Sequence, residues 1–196
     1  MAHKRREAVS ALTFLVKSKH QPELNLFHLV LRALSKGPSM MSNALIVLDL
    51  MRQCGQAPDT MACNLAIRAC GGSHALEHAD RVLRTMAEAG APPDKHTFSA
   101  ALRACWHSHD WQRALELFAD METNYPGLVT VHMWNRVLGV LVIANQPQEA
   151  AAKAAAMADR GVPYDAVTYS LLLGAHALLG DHTKIDMLMS EMWEAG

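Results

Sequence analysis

Residues 60–94 read TMACNLAIRACGGSHALEHADRVLRTMAEAGAPPD, and the reading of these 35 residues decides the fold. They divide into two helical stretches around the breaker Gly71-Gly72-Ser73. In the second stretch Leu76, Ala79, Leu83 and Met86 step by three or four, which lays one apolar stripe along a helix. Gly90 stands where that helix would stop in a left-handed cap, and a proline follows within three residues.

The same stretch is copied along the chain. Met51, Met86, Met121, Met157 and Met192 are spaced 35, 35, 36 and 35 residues apart. Glycine follows four residues later at Gly55, Gly90, Gly161 and Gly196, with Tyr125 breaking the series. An acidic close comes next, at Pro58-Asp59, Pro93-Asp94 and Tyr164-Asp165, with Pro22-Glu23 as an earlier echo. Methionine used as core filler would not keep phase with Gly and Pro-Asp, so this is an internal repeat. The stripe recurs as Trp111, Ala114, Phe118 and Met121, as Ala150, Ala154 and Met157, and as Ile185, Met189 and Met192.

No stretch alternates with period two for long enough to be a strand, and residues 149–158 (EAAAKAAAMA) have very high helix propensity. A pair of short helices cannot bury its stripe alone, so copies must stack. The expectation is an all-α chain, an α-solenoid of helix-turn-helix repeats with the five phased methionines buried in equivalent sites. The repeats fall at 24–59, 60–94, 95–130 and 131–165, with a truncated one at 166–196. Residues 1–23 supply the second helix of a partial repeat, since Ala8, Ala11, Leu12 and Leu15 keep the stripe. One continuous solenoid that begins and ends inside a repeat reads as a fragment of a longer array. Its open ends would be available to protein subunits of a larger complex.

Composition narrows the class. With 51% hydrophobic and 19% charged residues the chain is of folded rather than disordered type. Its longest apolar run, 137–144, is far short of the roughly 20 residues that cross a bilayer, so no membrane insertion is expected. Residues 1–23 do not form a signal peptide, because Glu7, Lys17 and Lys19 interrupt the apolar stretch, and no targeting peptide is visible. Cys54, Cys63, Cys70 and Cys105 lack metal-ligand spacing. Cys70 and Cys105 are 35 residues apart, which marks them as small buried hydrophobes of successive repeats.

A period of 35, two helices per unit and a Pro-Asp close leading into a Thr-aromatic start resemble the pentatricopeptide repeat family. The phrases are AVTYS at 166–170, KHTFS at 95–99, MWN at 133–135, MACN at 61–64 and RALELFADM at 113–121. The resemblance implies stacked hairpins whose first helices line a concave groove, each repeat reading one base of single-stranded RNA. It assigns base reading to Asn64 with Asp94 and to Asn135 with Asp165, the combination that implies uridine, or less well cytidine, at two positions. Ser99 with Thr130 and His28 or Leu29 with Asp59 are nonstandard, and Ser170 has no partner in the chain. Met61, His96, His132 and Val167 stand at the base-clamping positions. Short polar side chains suit such work because they offer fixed donors and acceptors to a base edge. On the residues alone, Asn64 and Asn135 could equally cap a helix, and Pro-Asp could be an inter-repeat turn. A mitochondrial or chloroplast location follows from the resemblance only.

Charge is segregated. The five first helices, taken as 24–36, 60–72, 95–107, 131–143 and 166–178, contain Arg32, Lys36, Arg68, Lys95, Arg103 and Arg136 but no Asp or Glu. The remainder holds 12 basic against 19 acidic residues, for a net charge of −1. If the first helices line one groove, those six residues make it positive and suited to phosphate. Of the lysines the family often places late in the first helix, only Lys36 is kept, which implies modest affinity. Scattered acids give no nuclease-like cluster, and there is no phosphate-binding glycine loop, so no catalytic residue, metal or cofactor is expected. The leading expectation is RNA binding in organellar RNA processing, stability or translation, or in a ribonucleoprotein such as an organellar ribosome. The alternative is a protein-binding scaffold that does not read bases.

Overall fold

The computed structural model describes residues 2–36, 41–69 and 74–195; Cys70, the breaker Gly71-Gly72-Ser73 and Gly196 lie outside the described residues. The chain folds as two compact units, residues 1–108 and 109–196, divided between the two helices of the 95–130 repeat. The first contains α1 (Ala2–Lys17), α2 (Leu24–Ser35), α3 (Met41–Gln53), α4 (Thr60–Arg68), α5 (Ala75–Ala89) and α6 (Lys95–Ser108). The second contains α7 (Trp111–Asn124), a 3-10 turn at Pro126–Leu128, α8 (Val131–Ile143), α9 (Pro147–Asp159), α10 (Ala166–Leu179) and α11 (His182–Ala195). No strand occurs among the described residues. The fold is the all-α stack of helical hairpins that the repeat implies.

The phase of Met and Gly has a backbone origin. At the end of α5, Gly90 adopts φ +66° and its N–H donates to Ala87 O at 3.2 Å, while Ala91 N–H reaches back to Met86 O at 2.9 Å. This is the paired capping motif that ends a helix through one left-handed residue. It recurs where Gln56 N–H meets Met51 O and Val162 N–H meets Met157 O, at 2.9 and 3.2 Å. The methionine therefore supplies both a core side chain and the carbonyl that closes its helix. Lys19, with φ +59°, serves as the glycine of the first copy, its successor His20 donating to Leu15 O at 3.1 Å. Where Tyr125 replaces glycine the left-handed residue is lost. Tyr125 N–H bonds Met121 O directly at 2.9 Å, and the 3-10 turn carries the chain onward.

In the first unit α2 packs on α4 and α4 on α6, with α3 and α5 behind them. The core runs continuously from Val9 and Leu12 through Phe27, Leu34, Leu48, Met51, Ile67 and Val82 to Met86 and Ala104. In the second, Phe118 meets Trp134 edge-on at 4.6 Å between ring centres, and Leu138, Ala154, Leu172 and Leu188 pack together. Lys153 takes a place that the repeat fills elsewhere with Val82, Leu117 and Leu188. Its ammonium lies 4.5 Å from the centre of the Phe118 ring and 3.5 Å from Glu122, which also pairs with Arg160 at 3.1 Å. Burial holds the Lys153 ammonium below its ordinary pKa, against the pull of Glu122.

Cys105 is fully buried, as its place in the repeat requires, and so is Cys63, whose thiol burial pushes up to about 12. Met51, Met86, Met121 and Met157 are also fully buried. Met192 is not: it is 40% exposed, with Met189 at 47%, and the expectation of five equivalent sites fails there. The second helices α3, α5 and α9 each pack against two first helices, their own and the next. The last helix α11 packs on α10 and seats Leu188 instead, while the other side of its stripe faces solvent. Truncating Met86 to Ala should therefore cost about 2–5 kcal/mol. Met192→Ala should stay within about 0.5 kcal/mol of wild type. Urea unfolding of the two variants checks this.

Candidate functional site

Three of the first helices, α4, α6 and α10, begin at the aspartate that closes the preceding repeat, and the aspartate caps them. Asp94 Oδ1 accepts the backbone N–H groups of His96 at 2.8 Å and Thr97 at 2.9 Å. Asp165 accepts Thr168 N–H at 2.8 Å, and Asp59 accepts Ala62 N–H at 2.8 Å. Thr97 and Thr168 return the bond: their hydroxyls accept the N–H of Asp94 and Asp165 at 3.0 and 3.2 Å, completing a capping box.

The same carboxylates receive the asparagine of the preceding repeat. Asn64 Nδ2 lies 3.0 Å from both Asp94 oxygens, and Asn135 Nδ2 lies 2.8 Å from Asp165 Oδ1. The amide oxygens are taken by the threonines, Thr97 Oγ1 donating to Asn64 Oδ1 at 2.6 Å and Thr168 Oγ1 to Asn135 Oδ1 at 2.7 Å. The bonds have one self-consistent polarity. A backbone N–H only donates, so the threonine oxygen accepts it and spends its proton elsewhere; a carboxylate only accepts, so it faces the amide nitrogen. The Asp oxygens, at 3.2 and 2.9 Å, are the longer alternative for the hydroxyl proton. The two pairs inferred from the resemblance are thus in direct contact, and the capping alternative is also realised, by the aspartates rather than the asparagines. Thr97 and Thr168, both fully buried, were missed in the sequence reading although Asp-x-x-Thr is a readable capping signature.

The first full repeat resolves to His28, whose Nε2 is 3.0 Å from Asp59 Oδ1, while Leu29 is 63% exposed. Ala62 stands where the later copies have threonine, so no hydroxyl completes that contact. Ser99 on α6 is half-buried; Thr130 precedes α8 without a side-chain cap and belongs to the other unit. Ser170 is exposed on α10.

In the first unit an open hollow of about 600 Å³ gathers residues of all three inferred roles. Asn64 and Asp94 line it together with Met61, His96, Arg32, Lys36 and Arg68. Arg32, Arg68 and Arg103 occupy one helical position, four residues after His28, Asn64 and Ser99. Arg103 Nη2 donates to Arg68 O at 3.2 Å, which ties successive members of the row. Lys95 is exposed at the start of α6. The corresponding positions in the second unit are Gly139 and Gly174. Arg136 directly follows Asn135 instead, and its Nε donates to His132 Nε2 at 3.1 Å. His132 and Val167 are both exposed.

Burial alone would raise the Asp94 and Asp165 carboxyls; the bonds from the threonine N–H and hydroxyl and from Asn64 and Asn135 outweigh it. Both groups are held below the usual carboxylate range. A depressed folded-state pKa stabilises the fold above the unfolded value, and that stability is lost as pH falls through the folded one. Stability should therefore decline as pH drops below about 4, and Asp94→Asn with Asp165→Asn should flatten this acid limb in thermal melts taken from pH 7 to pH 2. Among the described residues no three His, Cys, Asp or Glu side chains are grouped to hold a metal ion, and no helix is long and apolar enough to cross a membrane.

The pentatricopeptide repeat model matches residues 96–125 and 167–196. No curated protein matches the sequence. Among solved structures, the pentatricopeptide repeat protein PPR10 in complex with an 18-nucleotide psaJ RNA element is similar at 23% identity and a TM-score of 0.76, over 95% of this chain and 27% of that one. PPR10 from maize gives 24% and 0.71, over 100% and 28%. The pentatricopeptide repeat domain of Arabidopsis thaliana protein-only RNase P 1 in complex with tRNA gives 17% and 0.69, over 84% and 86%. The chain thus spans little more than a quarter of the length of PPR10. The family model thus finds pentatricopeptide repeats at two positions of the chain, within a fold that the chain shares with these structures.

Proposed function

We propose that the chain binds single-stranded RNA and reads bases with the Asn64–Asp94 and Asn135–Asp165 pairs, each favouring uridine. The observation that carries this is the hollow of the first unit, whose lining brings Asn64 and Asp94 together with Met61, His96, Arg32, Lys36 and Arg68. A base entering there would have its edge on Asn64 and Asp94 and its faces toward Met61 and His96, with phosphate near the arginines. In the second unit, Asn135 and Asp165 would read with His132 and Val167 as the flanking clamps, and Arg136 close by. PPR10 and the RNase P domain were both solved with RNA, which supports this use of the fold. Uracil fits the polarity of the pair, because it presents an acceptor oxygen beside an N–H donor while cytosine reverses the two. Ser99, Thr130 and Ser170 would form tolerant positions. A role in organellar RNA processing, stability or translation, in a mitochondrion or plastid, is part of the same reading.

The scaffold reading has its own observation. On α11, Met187, Met189, Met192 and Trp193 are 49%, 47%, 40% and 82% exposed, an apolar surface of the sort that partner proteins cover. It concerns a different face from the base-reading pairs and does not compete with them.

Fluorescence anisotropy with labelled oligoribonucleotides tests the RNA reading. Wild type should bind oligo-U more tightly than oligo-A, and Asn64→Ala with Asn135→Ala should remove the difference without loss of helicity; equal affinity in wild type overturns base reading. Replacing the exposed Arg32 and Arg68 with Gln should leave stability nearly unchanged, since exposed charges contribute about 0–1 kcal/mol each. It should flatten the log–log salt dependence by about 0.7 per lost phosphate contact. Wild-type affinity that does not respond to salt would remove the phosphate role.

A further inference from the structure

The asparagines that face the aspartates do so only where a threonine stands three residues beyond the acid. Asn64 goes with Thr97 and Asn135 with Thr168, whereas His28 goes with Ala62 and, by the same spacing, Ser99 with Met133. The two threonine hydroxyls are the atoms that bind the amide oxygens, at 2.6 and 2.7 Å, and both side chains are fully buried.

From this we propose that Thr97 and Thr168 are positioning residues for specificity, a third member of each reading set that locks the asparagine amide in one orientation. The inference rests on the base-reading proposal and deepens it. An amide has two faces to offer, an acceptor oxygen and donor N–H groups, and a base can be told from its competitor only if one of them is fixed. With Oδ1 held by the threonine and Nδ2 drawn to the aspartate, the asparagine meets a ligand as a donor beside an acceptor carboxylate. Uracil, with a carbonyl oxygen next to N3–H, satisfies both; cytosine offers an amino group next to an unprotonated ring nitrogen and satisfies neither. Without the hydroxyl the amide oxygen is released, the amide can turn, and cytosine becomes acceptable. The threonine never touches the base: it acts through Asn64 or Asn135. The same hydroxyl closes the capping box, so valine removes both bonds while serine keeps both, and the helicity check reads the capping role.

The test compares oligo-U and oligo-C binding by wild type, by Thr97→Val with Thr168→Val, and by Thr97→Ser with Thr168→Ser, each first checked for helicity. The expected result is a U-over-C preference that falls severalfold, toward unity, in the valine variant and is retained in the serine variant. A valine variant that stays folded and keeps the wild-type ratio overturns the proposal while leaving base reading intact. A wild type without U-over-C preference, on a chain that Asn64→Ala and Asn135→Ala do not alter, takes both down. Should the valine variant not fold, side-chain amide proton exchange in RNA-free wild type decides the matter. Slow exchange at Asn64 and Asn135, quickened in neither asparagine by the serine changes, supports the lock, and exchange as fast as in an exposed asparagine overturns it.

Discussion

The hydrogen-bonded aspartate at the start of α4, α6 and α10 is the interaction on which the arrangement depends. A helix N-terminus leaves backbone N–H groups without partners, and an acid at that point both accepts them and suits the local positive end of the helix. In Asp94 and Asp165 the same carboxylate also receives an amide from the neighbouring first helix. Capping and inter-repeat registration are thus one set of bonds rather than two. Disturbing the acid loosens a helix start and a helix–helix contact together, and the Asn–Asp pair with them.

A second economy operates at the other end of each hairpin. The phased methionine buries its side chain, and its carbonyl accepts the N–H that follows the left-handed glycine. Core packing and turn geometry are coupled through one residue, so their spacing cannot drift independently. This is why the copies keep a period near 35 although few other positions agree. Tyr125 shows the alternative: without glycine the helix closes through a direct bond to Met121 O, and a 3-10 turn is inserted.

Charge follows the same division of labour. None of α2, α4, α6, α8 or α10 carries an acid within its bounds, so the aspartates stand only at their N-terminal edges. In the first unit this leaves Arg32, Arg68 and Arg103 along one position with no acid on their own helices to neutralise them. In the second unit the same position is glycine, and cationic side chains are found instead over aromatic rings, Lys153 and Arg160 lying against Trp134 at 5.1 and 5.2 Å. Arginine thus lines the hollow around Asn64 and Asp94 in the first unit, and Arg160 lies over an aromatic ring in the second.

The sequence by itself determined the architecture, because apolar periodicity, a glycine needed for a left-handed turn and an acid needed at a helix start are all local demands. Helix positions and the burial of Met51, Met86, Met121 and Met157 were legible for that reason, whereas the pairing of Asn64 and Asn135 with their aspartates came from the family resemblance. Tertiary structure decided the rest. The choice of His28 over Leu29 depends on which side of α2 meets Asp59, and one added residue in the first repeat hides it from counting. Exposure of Met192 depends on what packs outside α11, which no pattern within α11 contains. The roles of Thr97 and Thr168 needed an atom 33 residues away in sequence, since a capping hydroxyl gives no sign of where its own proton goes. Local rules specify which groups must be satisfied; only the folded chain shows which neighbour satisfies them.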